Sequence, residues 1–199
     1  MVERLRAGGI ADLAVLHAFD AVPRHEFVPE AMRHRAYEDV PLPIGSGQTI
    51  SSPTIHAISL ELAEVDEGDR VLEVGTGSGF QTALLAELGA EVFSIERLPE
   101  LSARAGEILS RLGYAARLGV GDGGQGLPDH APFAAIIVGA AAAEAPGALF
   151  AQLSEGGRLI VPIGVREQVL YRYVRRGAEF VRERISGARF VPLIEQPLG

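Results

Sequence analysis

The chain has 199 residues, of which 47% are hydrophobic, and a formal net charge of −8 at pH 7. This length is enough for one domain with a sizeable core, and no apolar run approaches the ~20 residues of a membrane span. The N-terminus has no signal-peptide pattern, so we expect a soluble, cytoplasmic protein. Since the chain has no cysteine, disulfides, thiolate nucleophiles and cysteine metal sites are excluded, and we assign no metal ligands. The acidic balance disfavours a nucleic-acid partner.

The first 52 residues are predicted to form a helical cap followed by a long loop. Residues 1–19 have helical apolar spacing, interrupted at Gly8-Gly9. Residues 36–53 are irregular, and structureless loops of this length are usually functional or disordered. The apolar residues and prolines in this loop favour order. It ends at Ser51-Ser52-Pro53, a typical helix start, so residues 54–63 should be helical. On local grounds Ser51 could serve only as the N-cap of this helix.

A glycine-rich turn follows the strand predicted over residues 71–74. Its glycines are Gly75, Gly77 and Gly79, and a helix should follow from residue 81. Glycine permits a sharp turn and close approach to a ligand, and the N–H groups at a helix start favour an electron-rich partner. A dinucleotide motif would require a third glycine at the position of Phe80. This spacing therefore favours another nucleotide-like cofactor over a dinucleotide.

Three acids end successive predicted strands. Glu73 lies in the strand before the glycine turn, Glu96 ends the next strand, and Asp122 follows the third within Gly121-Asp122-Gly123. Ligands of open α/β sheets bind at the carboxyl ends of the strands, where a carboxylate can hold ribose hydroxyls. We expect the three acids to line one crevice, with Glu73 at one end of a nucleotide-like cofactor, Glu96 on its ribose and Asp122 on the amino group of its base. An ordinary Asp-Gly turn is the alternative for Asp122.

The rest of the chain completes a sheet. Apolar strands are predicted over residues 134–139 and 158–163, a short helix lies between them, and residues 169–185 should form a β-hairpin. The hairpin arginines are expected on a solvated face. The predicted fold is a single α/β domain: a Rossmann-like, doubly wound, mostly parallel sheet with a C-terminal antiparallel hairpin. Residues 1–52 would form the N-terminal helical cap and substrate loop, and residues 53–199 the cofactor-binding core.

Several motifs resemble those of the protein-L-isoaspartate O-methyltransferase family, a group of class I enzymes that use S-adenosylmethionine. The form E-x-G-x-G-x-G, from Glu73 to Gly79, resembles motif I of such methyltransferases in general. The more specific match is Leu42-Pro43-Ile44-Gly45 with Gln48-Thr49-Ile50-Ser51 and Pro53, which is similar to the family's substrate loop. Supporting segments lie along nearly the whole chain, namely Val22-Pro23-Arg24, Phe27-Val28, Gly121-Asp122-Gly123, Gly156-Gly157-Arg158-Leu159 and Arg189-Phe190-Val191-Pro192-Leu193.

The resemblance implies specific roles for matching residues. Ser51 would be the active-site serine, and Ile50, Ser51, His56 and Val191 would bind the substrate. Cofactor contacts would come from the loop, the glycine turn and the strand ends: Gln48, Thr49, Ile50, His56, Glu73, Gly75, Gly77, Ser78, Gly79, Glu96, Asp122 and Gly123. The chain departs from the family pattern at Ala134, Ala143 and Gly124, which affects the expected shape of the crevice rather than the reaction.

The implied reaction is methylation of the free α-carboxylate of L-isoaspartyl residues in damaged proteins and peptides, with S-adenosylhomocysteine as the cofactor product. A carboxylate with a pKa near 4 is already ionised at neutral pH, so the site needs alignment rather than a general base. We expect a monomer. Two alternatives remain open from the sequence: a methyltransferase for a small molecule or RNA, and a cofactor-binding module without catalysis.

Overall fold

Two short helices begin the chain in the computed structural model, which describes residues 1–194. Helix α1 spans Val2–Ala7 and α2 spans Leu13–Ala21, so the predicted interruption at the glycine pair is confirmed. The Asp12 carboxylate caps α2 by accepting hydrogen bonds from two backbone N–H groups of its first turn. Two 3-10 turns follow, at Arg24–Phe27 and Glu30–Arg35.

The segment predicted as an irregular loop contains a small antiparallel hairpin. Strand β1 (Leu42–Gly45) pairs with β2 (Gln48–Ile50), and the turn between them uses positive φ angles at Ser46 and Gly47. Three apolar side chains of the hairpin are fully buried: Leu42, Ile44 and Ile50. The loop is therefore anchored to the core by its apolar residues, as their sequence predicted.

Helix α3 spans Pro53–Ala63 and begins with Ser52, not Ser51, as its N-cap residue. The prediction of a serine side-chain cap is wrong, because the Ser52 side chain makes no cap hydrogen bond. Asp39 supplies the cap instead, accepting from the Thr54 backbone N–H at 2.9 Å and from the Thr54 hydroxyl at 2.7 Å. The Ser51 hydroxyl is thereby left outside the helix cap.

A seven-stranded sheet forms the centre of the molecule. In chain order the strands are β3 (Arg70–Val74), β4 (Glu91–Glu96), β5 (Arg117–Val120), β6 (Phe133–Val138), β7 (Leu153–Ile163), β8 (Gln168–Arg176) and β9 (Glu179–Ala188). Their order across the sheet is β5-β4-β3-β6-β7-β8-β9. The first five strands pair in parallel, and β8 and β9 are antiparallel additions. The predicted Rossmann-like sheet with a C-terminal hairpin is confirmed, although β7 begins at Leu153, earlier than predicted.

Helices form three of the four connections between successive parallel strands, and the order of the strands reverses at β3. The connecting helices are α4 (Phe80–Glu87), α5 (Pro99–Leu112) and α6 (Gly147–Ala151). After β3 the chain adds β4 and β5 on one side, and then returns to place β6 on the other side. Such a reversal opens a crevice between the carboxyl ends of the two central strands. Here the crevice lies beyond β3 and β6.

The two faces of the sheet bury separate apolar clusters. Val71 of β3 faces the cluster that includes the N-terminal helices, and Leu72 and Val74 face the opposite cluster, as the alternation of side chains along a strand requires. Phe80, the first residue of α4, is fully buried, and its ring lies 5.8 Å from that of Phe19 in α2. The N-terminal helices thus pack directly on the helix that follows the glycine turn.

The hairpin arginines are only partly on a solvated face. Arg176 is exposed, but Arg172 pairs with Glu64 of α3, and Arg175 donates to the Leu153 carbonyl. The expectation of a solvated face is therefore wrong for Arg172 and Arg175, which connect the hairpin to its neighbours. Within residues 1–194, no helix is both long and apolar enough to cross a membrane.

Candidate active site

A cavity of about 300 Å³ fills the crevice at the carboxyl ends of β3, β4 and β6. The β1–β2 hairpin covers it on one side and the C-terminal segment on another. Its lining comes from six parts of the chain: Gly47, Gln48, Thr49, Val74, Gly75, Gly77, Ile95, Glu96, Arg97, Leu98, Gly123, Gly139, Ala140, Val191, Pro192, Leu193 and Ile194. Six of the twelve predicted cofactor residues therefore line this cavity, together with the predicted substrate residue Val191.

The glycine turn has the backbone geometry that its sequence predicted. Gly75, Gly77 and Gly79 have φ angles of 93°, 54° and 85°, a region that side chains disfavour. A Cβ added at Gly79 would lie 3.1 Å from the Cβ of Ala105 in α5, so this position also requires close packing. Gly75 and Gly77 line the cavity directly, which leaves their backbone open to a ligand.

Glu96 joins the glycine turn to the end of β4. Its Oε2 accepts a hydrogen bond from the Gly77 N–H at 2.9 Å, and its Oε1 accepts from the Leu98 N–H at 3.0 Å. Only 7% of the residue is exposed, and it lines the cavity. A carboxylate oxygen has more than one acceptor site, so Glu96 can accept from a ligand hydroxyl while it holds the turn.

Glu73 lies beneath the turn, where it organises protein groups. It is 1% exposed and accepts hydrogen bonds from Thr82 Oγ1 at 2.5 Å, Ser94 Oγ at 2.7 Å and Gln81 Nε2 at 3.2 Å. Burial raises the pKa of Glu73 to about 7, although these three donors oppose the rise. Its carboxylate reaches the crevice only through a small recess.

This recess, of about 30 Å³, lies beside the main cavity and contains the predicted catalytic residue. Its lining brings together the substrate loop, α3 and the glycine turn: Thr49, Ile50, Ser51, His56, Glu73, Gly75, Thr76, Gly77, Ser78, Gln81 and Gly139. The recess shares Thr49, Gly75, Gly77 and Gly139 with the main cavity. Ser51, His56 and Ser78 therefore lie beside the main cavity, in the recess that also contains Glu73.

Gln81 connects Glu73 to His56 and fixes the state of the imidazole. Since the Gln81 amide group donates to Glu73, its carbonyl oxygen faces His56 Nδ1 at 3.1 Å and must accept a hydrogen bond from it. Burial, followed by the nearby charge of Arg24, lowers the pKa of His56 to about 3. The imidazole is thus neutral, protonated on Nδ1, and presents an acceptor at Nε2. That buried nitrogen has no partner within residues 1–194.

Arg24 holds the backbone of the substrate loop through hydrogen bonds from its buried side chain. Its side chain is fully buried and donates to the carbonyls of Ala36 and Ser51, each at 2.8 Å. The guanidinium also lies 4.8 Å from the centre of the Phe80 ring, a cation–π arrangement. Burial lowers the pKa of Arg24 to about 10, so it stays protonated at neutral pH. Ser51 is consequently held at its carbonyl while its hydroxyl stays outside the helix cap.

The C-terminal segment closes the other side of the cavity. The Val191 carbonyl accepts from the Ala141 N–H at 2.8 Å, and the Leu193 N–H donates to the Ala141 carbonyl at 2.7 Å. This pairing attaches residues 191–193 to the loop after β6. Val191 is thereby fixed in the cavity wall.

Gly123 lines the cavity, whereas Asp122 stabilises the turn beside it. A Cβ at Gly123 would overlap a methyl group of Val74, so only glycine fits. Oδ1 of Asp122 accepts from the Gly124 N–H at 2.9 Å and caps the short turn that begins at Gly123. Two of the three departures from the family pattern lie away from the main cavity, since Ala143 is exposed and Ala134 lines a separate cleft. The third, Gly124, is buried directly after the cavity-lining Gly123.

Four contributors to the site were missed by sequence reasoning. Gln81 and Arg24 act through partners distant in sequence, and Asp39 caps a helix 15 residues later. Gly139 lies where β6 ends against β3, and its N–H donates to the Val74 carbonyl at 2.8 Å. A signal was available only for Gly139, since a glycine directly after a buried parallel strand indicates close approach.

The fold and the crevice define a class I methyltransferase that depends on S-adenosylmethionine. The residues present fit such a cofactor: glycines keep the cradle open, Glu96 offers acceptors for hydroxyls, and Ile95 and Leu98 give an apolar wall. More specifically, the chain belongs to the protein-L-isoaspartate(D-aspartate) O-methyltransferase family, whose profile matches residues 1–197. Within residues 1–194, no group of three or more histidine, aspartate or glutamate side chains is placed to hold a metal ion.

Individual relatives agree with this assignment. A protein-L-isoaspartate O-methyltransferase of Methanoculleus marisnigri is 52% identical over 199 residues, covering 98% of this chain and 90% of that protein. A crystal structure from Plasmodium falciparum, described under the same family name and in complex with S-adenosyl-L-homocysteine, has a TM-score of 0.85 at 29% identity and covers 98% and 97% of the two chains. Another protein-L-isoaspartate O-methyltransferase structure has a TM-score of 0.88 at 30% identity. The match covers 96% of this chain but 65% of that longer one.

Proposed function

We propose that this enzyme transfers the methyl group of S-adenosylmethionine to the free α-carboxylate of L-isoaspartyl residues, and that Ser51 orients that carboxylate. The observation that carries the proposal is the position of the substrate loop. Arg24 and Asp39 hold it so that Ser51 lies in a recess beside the glycine turn. The family match over residues 1–197 supplies the reaction class.

The cofactor would lie across the glycine turn, with its methionine end toward the recess. When bound, it supplies an electrophilic methyl group on a positively charged sulfur. We assign Glu96 to the ribose hydroxyls and the open backbone of Gly75 and Gly77 to close contact. Further contacts are proposed for Gln48, Thr49, Ile50, His56, Ser78, Gly79, Asp122 and Gly123, while Glu73 would act through Gln81 rather than by direct contact.

The reaction needs alignment more than activation. The substrate carboxylate has a pKa near 4 and is already a nucleophile at neutral pH. The Ser51 hydroxyl would donate a hydrogen bond to one carboxylate oxygen, so that the other is held ~3 Å from the methyl carbon. His56 is a poor proton acceptor because its pKa is about 3. Its Nε2 would instead accept a hydrogen bond from a substrate N–H or from the cofactor ammonium.

The remaining chemistry requires little from the protein. The carboxylate becomes a methyl ester, whose methoxide is a better leaving group than the original oxygen. Attack by the neighbouring backbone nitrogen then gives a succinimide and releases methanol, and hydrolysis of the succinimide returns part of the material as normal aspartate. In this proposal the substrate backbone is positioned by Ile50, which lines the recess, and by Val191, which lines the main cavity.

Replacing Ser51 tests this role against a neighbouring serine. Loss of one hydrogen bond to a charged group costs ~1.5–3 kcal/mol, so Ser51→Ala should lower kcat/KM for an isoaspartyl peptide by about tenfold to a hundredfold. Cofactor affinity should change less than twofold. Ser52→Ala is the matched control, because that side chain makes no cap hydrogen bond. Equal activity of the two variants would contradict the role given to Ser51.

We also propose that the enzyme acts as a monomer and has no nucleic-acid partner. The net charge of −8 supports the second point, since phosphate binding draws its affinity mainly from lysine and arginine. Light scattering at micromolar concentration tests the first. A particle of twice the 21.1 kDa chain mass would contradict it.

A further inference from the structure

A groove of about 510 Å³ lies between the start of α3 and the open end of the β8–β9 hairpin. It is separate from the cofactor cavity. Its lining is Ile55, Arg166, Glu167, Gln168, Val169, Arg184, Gly187 and Arg189. We call it the arginine groove, since three of these eight residues are arginines and only one is acidic.

The three arginines of this groove face solvent. Arg166, Arg184 and Arg189 are all exposed, and within residues 1–194 none forms an ion pair. Elsewhere on the same hairpin the pattern differs, because Arg172 pairs with Glu64. A cluster of arginines that have no ion pair among the described residues, on a protein with a net charge of −8, is a local reversal of sign. It favours a ligand with negative charge.

The arginine groove shares no lining residue with the active site, but two short stretches of chain connect them. Ile55 follows Ser51 by four residues and lies in the first turn of α3. On the other side, the Gln168 side chain holds the backbone of Phe190, donating to its carbonyl at 3.0 Å and accepting from its N–H at 2.6 Å. The next residue, Val191, is in the cavity wall.

The spacing suits an extended peptide. Arg189 and Val191 are two residues apart, which in extended chain corresponds to ~6.6 Å. A peptide with its modified residue beside Ser51 and Val191 would therefore carry its second or third neighbour into the arginine groove. A side chain of that neighbour would meet the guanidinium groups, which bind carboxylates through directed hydrogen bonds.

We propose that the arginine groove selects substrates with an acidic side chain two or three residues from the isoaspartyl residue, on one side of it. This inference rests on the proposed function. A nucleic acid is the less suitable ligand, since the groove is short and the surrounding protein is acidic.

Matched peptides test the proposal. A reference peptide has alanines around one isoaspartyl residue, and its variants carry two glutamates or two lysines at the second and third positions on either side. Glutamates on one side should lower KM about threefold or more at low ionic strength, and lysines there should raise it. The preference should weaken at 0.5 M salt, because exposed ion pairs are screened.

Enzyme variants locate the effect. The double change Arg184→Gln with Arg189→Gln should abolish the charge preference and leave KM for the alanine peptide within twofold. Arg176→Gln, an exposed arginine of the same hairpin outside the groove, should keep the preference. Equal KM values for the glutamate and lysine peptides, or a preference that persists in the double variant, would overturn the proposal.

Two further outcomes are distinguishable. Failure to methylate the alanine peptide itself would refute the proposed function, and the groove inference would fall with it. If peptide charge has no effect and a single-stranded RNA oligonucleotide inhibits wild type but not the double variant at 0.15 M salt, the groove binds nucleic acid and the peptide proposal is wrong.

Discussion

Replacing Glu73 with glutamine should change the pH dependence of stability in a predictable direction. The pKa of this carboxyl is raised from an ordinary value of 4.5 to about 7, chiefly by burial. The folded protein therefore holds a proton that the unfolded chain releases between these pH values, so stability is greatest below pH 4.5 and falls as pH rises toward 7. A pKa difference of one corresponds to about 1.4 kcal/mol, so Glu73 should lower the free energy of unfolding by about 3 kcal/mol at pH 8, relative to its value below pH 4.5.

Glutamine is neutral, so Glu73→Gln should lack this loss. Urea unfolding at pH 5 and pH 8 gives the assay. The free energy of unfolding of the variant, minus that of wild type, should become more positive by about 2 to 3 kcal/mol between the two pH values, because part of the loss has already occurred at pH 5. Glu107→Gln is the control, because Glu107 is exposed in the middle of α5. For the control, the difference from wild type in the free energy of unfolding should be the same at pH 5 and pH 8. If the difference for Glu73→Gln is also the same at both pH values, the pKa of Glu73 is not raised.

The same substitution should also reverse the hydrogen bonds that reach His56. Thr82 and Ser94 both donate to Oε2 of Glu73, so the carbonyl of the new amide should occupy that position and its NH₂ group should face Gln81. Gln81 must then turn its carbonyl toward position 73 and donate to His56 Nδ1. The imidazole proton should move from Nδ1 to Nε2, which nitrogen-15 NMR of the histidine ring detects. An unchanged tautomer would contradict the described connection.

Two further substitutions test how the crevice is held. Glu96→Gln leaves an amide NH₂ facing either the Gly77 or the Leu98 N–H, so S-adenosylmethionine affinity by calorimetry should fall about tenfold or more; unchanged affinity would remove Glu96 from the cofactor site. Arg24→Lys replaces the guanidinium, which donates to two carbonyls, with a single ammonium group. The free energy of unfolding in urea should therefore fall by about 2 kcal/mol, and kcat should fall by a larger factor than cofactor affinity. Wild-type stability and kcat would refute the anchoring of Ser51 by Arg24.

The sequence was most informative about the ends of the parallel strands, where the same local pattern occurs in several strands. Apolar runs followed by glycine or an acid predicted the strand ends, and parallel pairing brings those ends to one edge. The glycine turn was predictable because positive φ angles favour glycine wherever they occur. Gly75, Gly77, Glu96 and Gly123 could thus be assigned to one crevice from the sequence alone.

What the sequence did not indicate depends on contacts between distant segments. No local pattern shows that Arg24 reaches the carbonyl of Ser51, or that Asp39 caps α3 in place of a serine. The β1–β2 hairpin was missed because it is short and its buried residues are few. Glu73 was expected to contact the cofactor directly, and its burial among three donors became evident only when α4 and β4 were placed around it.

The most direct test of the account is transfer of a labelled methyl group from S-adenosylmethionine to a peptide pair that differs only in one linkage. One peptide contains L-isoaspartate and the other contains normal L-aspartate at the same position. Wild-type enzyme should label the isoaspartyl peptide, leave the aspartyl peptide unlabelled and release methanol as the ester collapses, while Ser51→Ala should label the isoaspartyl peptide at least tenfold more slowly. Equal labelling of both peptides, or labelling of neither, would contradict the proposed function.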